Sequence, residues 1–305
     1  MINGILNVKK EKDYTSHDVV AKLRGIVGQK KIGHTGTLDP NATGVLPVCL
    51  GKATKVCDLI TDKDKTYKAC ALLGLITDTQ DISGNVISRG DVSVIKEDDV
   101  VTAFEKYIGE YMQIPPMYSA VKINGKKLYE YAREGKEIER KSRKVLIYDL
   151  HVDKIDLPRV FFTVTCSKGT YIRTLCHDIG MDLTCGAVME ELERTQVMDF
   201  NLNDSVTLDE ISEYVKADKL NDILLPVDYV FVKYPKGNIV EGKEQLAYNG
   251  NRLKKRDIIT DESKLLEGNK IRIYDKNNDF VGIYIYKNQE YALVKMFYNL
   301  NGQMR

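Results

Sequence analysis

What this chain has little of narrows it first. Net charge is almost absent: 45 Lys and Arg against 44 Asp and Glu leave +1 over 305 residues. No global basic field surrounds the molecule, so any nucleic-acid binding must rest on local patches. Cysteine pairs are missing too. The six cysteines (Cys49, Cys57, Cys70, Cys166, Cys176, Cys185) form no C-x-x-C motif and sit mostly among apolar neighbours, as in "PVCLG" and "TVTCS". They read as reduced thiols of a cytosolic protein, against a disulfide framework. No stretch approaches the roughly 20 apolar residues of a membrane span. The N-terminus has no basic start followed by an apolar run, so no signal peptide is expected. Internal repeats and low-complexity tracts are also absent.

What is present is ordinary globular material, 43 % apolar and 29 % charged. The length suits one large domain plus a small one. "NGILNVKK" reads as a first strand. "SHDVVAKLRGIVG" reads as a helix capped by Ser16, with Val19, Val20, Leu23, Ile26 and Val27 as its apolar stripe and Gly28 as its end. "KATKVCDLI" reads as a further helix and "KTYKACALLG" as a strand. "VVTAFEKYIG" is helical, and "KVLIYDLHVDKI" and "VFFTVTCSKG" are long strands. "TYIRTLCHDIG" is a helix opened by Thr170 and closed by Gly180. "MEELERTQVMDF" fits helix and strand equally, and "TLDEISEYV" is a short helix. Beyond residue 231 the character changes to short alternating strands between turn signals such as "KNND" and "KNQ", a small all-β unit. Before it, helices and strands mix without a regular β-α-β rhythm. The large domain, residues 1–231, is therefore expected to be α+β and not doubly wound.

Two segments invite chemistry. Residues 113–144 open on Pro115-Pro116, contain the tight-turn pair Asn124-Gly125 and gather Lys122, Lys126, Lys127 and Arg133 around Tyr118, Tyr129 and Tyr131. Such a segment is either a solvated excursion or an arm that lays lysines on phosphates and tyrosines against bases. The second segment is "GHTGTLDPNATG", residues 33–44, where Asp39 is the single carboxylate. A phosphate loop is excluded: "GKAT" lacks the earlier glycine, Leu46 standing in its place, and has Ala53 where Ser or Thr must follow the lysine. Zinc is not expected, because His34 has no Cys or His partner at ligand spacing. Glycosidase chemistry generally wants two carboxylates. A lone charged aspartate needs a nearby cation. Taken alone, Asp39-Pro40 serves equally as a turn, its carboxylate bonding local backbone N–H groups.

The longer string "KIGHTGTLDPNATGVLPVCLGKATK" resembles the signature of the TruB family of tRNA pseudouridine synthases. "DKTYKA", "LGLITDTQDISG", "QIPPMYSAVKINGKKLYEYAREG", "CSKGTYIRTLCHDIG" and "LERTQV" follow in the family's order. The resemblance implies a pseudouridine-synthase mixed sheet flanked by helices, with residues 113–144 as an inserted RNA-binding arm and residues 232–305 as a small PUA-like β domain. It implies conversion of uridine 55 in the tRNA T loop to pseudouridine, with no cofactor and no metal. The implied partner is the T arm of tRNA, with no guide RNA and no membrane, for a cytoplasmic monomer.

By the same resemblance Asp39 is the essential carboxylate, Arg173 its cationic partner and Tyr67 the ring that stacks on the target base. The lysines beside Tyr67 would favour phenolate character if they point inward, and suit RNA if they point outward. His34 is associated with the flipped-out loop, Leu192 with the pocket wall, and Asp81 with a share of Arg173. Lys10, Lys122, Lys126 and Lys127 are counted among the RNA contacts. Each position also has a plain reading: a turn histidine, a half-buried strand tyrosine, a surface arginine, a core leucine. One departure is visible. Where the family has Lys-Pro-x-Gly, this chain reads Lys10-Glu11-Lys12-Asp13, which leaves the shape of that loop open.

Overall fold

The computed structural model of the chain describes residues 1–261, 263 and 265–298. In chain order it runs β1 (Gly4–Lys10), α1 (Ser16–Val27), β2 (Ile32–His34), β3 (Thr43–Leu50), α2 (Cys57–Thr61), β4 (Lys65–Leu73), β5 (Leu75–Thr77), β6 (Val86–Arg89), α3 (Glu97–Glu105) and β7 (Gly109–Gln113). Then follow β8 (Lys122–Ile123), β9 (Lys126–Lys127), α4 (Leu128–Arg133), β10 (Arg143–Asp156), β11 (Arg159–Cys166), α5 (Ile172–Asp182), β12 (Ala187–Val197), β13 (Phe200–Asn201) and α6 (Leu208–Lys216). The remainder holds β14 (Lys236–Ile239), α7 (Glu244–Tyr248), β15 (Leu253–Lys254), β16 (Ile258–Thr260), β17 (Lys270–Tyr274), β18 (Phe280–Lys287) and β19 (Glu290–Met296).

The first sheet has the order β1-β3-β12-β4-β11-β10-β7, with β2 on β3 and β13 on β12. Its pairs are antiparallel except β12 with β3, where Glu193 and Arg194 run parallel to Thr43 and Gly44. Gly44 is required there: its φ is +103°, and a Cβ on it would stand 2.2 Å from the Arg194 carbonyl oxygen. This mixed sheet with its flanking helices is the α+β arrangement expected. The six strands from β14 onward form a second sheet. The two sheets share an apolar joint in which Ile5, Val45 and Phe200 meet Phe231, Ile283 and Phe297.

Local chemistry explains most elements, and some details differ from expectation. Helix α1 buries Val19, Val20 and Leu23 and ends at Gly28 with φ +66°. Its cap is Thr15, in a reciprocal capping box with Asp18, and not Ser16. Ser16 is free for another use, described below. Residues 51–61 are a 3₁₀ turn followed by the short α2. Helix α5 begins after Tyr171 and not at Thr170. Gly180 lies inside it, because a Cβ there would meet the Ala187 backbone nitrogen at 2.1 Å where β12 crosses the helix. The ambiguous segment 189–200 is strand as far as Val197, fixed by partners on both sides, β4 and β3, and then turns at residues 198–199 into β13. Asn124 and Gly125 both take positive φ, 52° and 81°, and turn the β8–β9 hairpin.

Candidate active site

The loop from Thr35 to Ala42 joins β2 to β3 and is fastened on both flanks of Asp39. Leu38 and Ala42 sink into the main core at 3 % and 1 % exposure. The Leu38 N–H donates to the Ser16 hydroxyl at 2.9 Å. The Pro40 carbonyl accepts from the Asp13 N–H at 2.9 Å and from the Lys10 ammonium at 3.1 Å. Asp39 is left projecting from a rigid base, its side chain 41 % exposed.

Among the described residues, no backbone N–H donates to the Asp39 carboxylate; its ion pair is with Arg173, 3.3 Å away. Arg173 stands on the first turn of α5 and is 6 % exposed. It donates to the Tyr118 carbonyl at 2.8 Å and lies 3.7 Å from the Asp81 carboxylate. Asp81 is itself held by the Thr79 hydroxyl at 2.8 Å and the Ser83 N–H at 2.9 Å. One planar guanidinium thus spans two carboxylates and a carbonyl, which a point-like ammonium cannot do. Arg173→Lys is accordingly expected to slow the chemical step about 100-fold, the loss typical of one preorganised donor. Single-turnover rates test this, and near-normal turnover would detach Arg173 from Asp39.

Asp39 and Arg173 open onto a cavity of about 420 Å³, which Tyr67, Leu192, Tyr118, Tyr129 and Tyr171 also line. Tyr67 comes from β4, where Lys65 and Tyr67 face the cavity and Lys68 turns outward and is exposed. Burial pushes the Tyr67 phenol up to about 12, and the attraction of Arg194 offsets only part of that. The inward-lysine reading of Tyr67 is corrected on this point. Lys68 faces solvent, and the Lys65 ammonium is occupied by the carbonyls of Thr61 and Lys63. The phenol is therefore neutral near pH 7. Gln113 hooks the base of the arm to α5: its amide donates to the Tyr171 carbonyl at 2.9 Å and accepts from the Tyr171 N–H at 2.8 Å.

Other expected residues fall elsewhere. His34 is outside the cavity lining. Its Nδ1 is 3.0 Å from the Gly36 carbonyl, its ring meets His17 edge-on at 5.1 Å, and burial lowers its pKa below the usual 6.5. That is the turn-histidine geometry. Lys10 is fully buried, its ammonium spent on the Glu11 and Pro40 carbonyls, and burial lowers its pKa to about 8. It braces the Asp39 loop and offers RNA no exposed charge. Lys122 is exposed on the arm. Lys126 pairs with Glu134 and sits over the Tyr131 ring, 4.7 Å from its centre, and Lys127 sits 5.3 Å over Tyr129. Among the cavity residues that the sequence reading did not single out are Tyr171 and Arg194. Tyr171 is two places before Arg173. Arg194 is two places after Leu192, on the same strand face, a parity that a segment readable as helix concealed.

Residues 24–172 match the model described as TruB family pseudouridylate synthase (N terminal domain), and residues 173–232 match that of the tRNA pseudouridylate synthase B C-terminal domain. The chain is 50 % identical over 307 residues to "tRNA pseudouridine synthase B" of Lachnoclostridium phytofermentans, covering 97 % of this chain and 100 % of the relative. The chain belongs to the TruB family of pseudouridine synthases. It is 47 % identical to the protein of the same name from Clostridium novyi, over 92 % of this chain and 95 % of that one. Among solved structures, it matches a chain of a Cbf5-Nop10-Gar1 complex with TM-score 0.72 at 28 % identity, covering 97 % of this chain and 85 % of that one. A chain of an H/ACA RNP bound to a substrate RNA containing 2'-deoxyuridine gives TM-score 0.73 at 25 % identity, covering 98 % and 86 %. Family members are isomerases, which fits a cavity lined by the Asp39 carboxylate, the Arg173 and Arg194 guanidiniums and the Tyr67 ring.

Proposed function

We propose that this chain isomerises uridine 55 in the T loop of tRNA to pseudouridine, as a cytoplasmic monomer that needs no guide RNA. The observation that carries the reading is the Asp39–Arg173 pair facing the Tyr67 ring across one cavity. The tRNA substrate is taken from the names of the curated relatives, which align along nearly their whole length.

In the reaction the N1–C1′ bond breaks, the uracil turns, and a C5–C1′ bond forms. The C5 proton is lost and N1 gains one, so no atom is left over and nothing is oxidised. The target base must leave its stack to reach Asp39. Stacking on Tyr67 returns roughly 1–3 kcal/mol of that cost. Asp39 assists departure and return of the base, and Arg173 holds its carboxylate aimed. Residues 113–144 clamp the T arm by shape and phosphate contacts, and residues 232–305 serve as a second, PUA-like RNA-binding domain. Tritium release from C5-labelled uridine in a tRNA transcript, with the purified chain alone, tests the proposal. Release followed by mapping of the new pseudouridine to position 55 supports it; no release without added RNA or protein overturns it.

The arm yields a separate expectation. Neutralising Lys122, Lys126 and Lys127 together should weaken tRNA affinity and flatten its salt dependence. Each lost phosphate contact reduces the slope of log affinity against log salt by roughly 0.7–0.9. Lys126 already has Glu134 as a partner, so a total change nearer two contacts than three is expected. An unchanged slope would make the arm a solvated loop.

A further inference from the structure

Arg194 is among the largest fully buried side chains, at 1 % exposure, yet it lines the reaction cavity. Its placement is fixed by two ladders at once. In the antiparallel pairing of β12 with β4 it stands directly opposite Tyr67, where Cβ atoms are about 4.5–5.5 Å apart. In the parallel bridge to β3 it stands opposite Gly44, where the Asp39 loop re-enters the sheet. Its Nε donates to the Val45 carbonyl at 2.8 Å. Its Nη2 is buried and has no hydrogen-bond partner among the described residues.

A guanidinium kept only for packing would have its donors satisfied, because an unmet buried donor is costly. Protein anions are scarce here: Lys10, Lys65 and Arg173 share the neighbourhood with Asp39 and Asp81. The cavity that Arg194 lines offers a place from which a bound molecule can supply the oxygen Nη2 lacks. We propose that Arg194 locks the Tyr67 hydroxyl in register with the Asp39 loop and completes its bonding through Nη2 on an oxygen of the extruded nucleotide. This rests on the proposed reaction and extends it: Arg194 acts through Tyr67 and also touches substrate.

A double-mutant cycle tests both halves. Arg194→Met and Arg194→Lys are compared in the wild-type and Tyr67→Phe backgrounds by single-turnover rate, tRNA affinity and urea unfolding. Arg194→Met is expected to slow turnover 100-fold or more with affinity within three-fold, and Arg194→Lys to recover no more than ten-fold. With Tyr67→Phe already present, Arg194→Met should cost only about ten-fold, the share of the substrate bond. Equal losses in both backgrounds overturn the link to Tyr67. No residual loss in the Tyr67→Phe background overturns the substrate bond. Wild-type turnover, measured first, separates failure of this inference from failure of the reaction assignment. The unfolding cycle reads the Arg194–Tyr67 coupling without any turnover, and additive unfolding effects overturn it.

Discussion

Asp39→Asn is expected to bring pseudouridine formation below detection while tRNA affinity stays within a few-fold of wild type. The substitution keeps the shape of the side chain and removes its charge. Arg173 remains anchored by Asp81 and the Tyr118 carbonyl. The loop keeps its fastenings at Leu38 and Pro40, none of which involves the Asp39 side chain. The fold therefore has no reason to change, and the loss is confined to chemistry. Binding is spread over many phosphate and stacking contacts, while the described cavity presents one carboxylate beside the Tyr67 ring. Tritium release under single-turnover conditions and filter binding on the same preparation separate the two. Substantial turnover by Asp39→Asn would sink the assignment of this cavity as the reaction site.

The second large effect is at Tyr67. Tyr67→Phe keeps the ring face and loses the hydroxyl; Tyr67→Leu loses both. The hydroxyl is buried, neutral and opposite the Arg194 guanidinium. Removing it takes a polar group from a cation that already has one unmet donor. It also removes a buried cavity hydroxyl able to relay a proton. Tyr67→Phe is expected to lose about a hundred-fold or more in the chemical step with binding intact. Tyr67→Leu should lose a further ten- to hundred-fold, the roughly 1–3 kcal/mol of stacking. Single-turnover rates read both. If Phe is nearly active and only Leu is slow, the ring stacks and the hydroxyl is idle. Equal, near-normal rates would remove Tyr67 from the site.

The sequence made the Asp39–Arg173 pair legible because long motifs name both ends, although 134 positions of numbering separate Asp39 from Arg173. Helix α1 was legible through its spacing of valines and leucines, and the β8–β9 hairpin through Asn124-Gly125. Arg194 was not, for a reason of periodicity: "MEELERTQVMDF" has no clean alternation, since β12 carries bulges between Met189 and Glu191 and between Arg194 and Gln196, each of which breaks the alternation of faces. The burial of Lys10 was not legible, because it arises from the fold around Pro40. The environment of Tyr67 was beyond reach for a similar cause. Which neighbouring lysine turns inward, and whether its ammonium is already occupied, depends on the Thr61 and Lys63 carbonyls nearby.

The fastening of the Asp39 loop bears on where this protein can be cut. The N-terminal family match begins at residue 24, and a chain started there would retain Asp39, Tyr67, Asp81, Arg173 and Arg194. It would lack Lys10, Asp13 and Ser16, the three residues that grip Pro40 and Leu38. It would also lose β1, which pairs with β3 along seven positions from Gly4 to Lys10. Such a fragment would keep Tyr67, Arg173 and Arg194 on their elements but leave the Asp39 loop without its grips, so the smallest autonomous unit of this enzyme is larger than the span that carries its cavity residues.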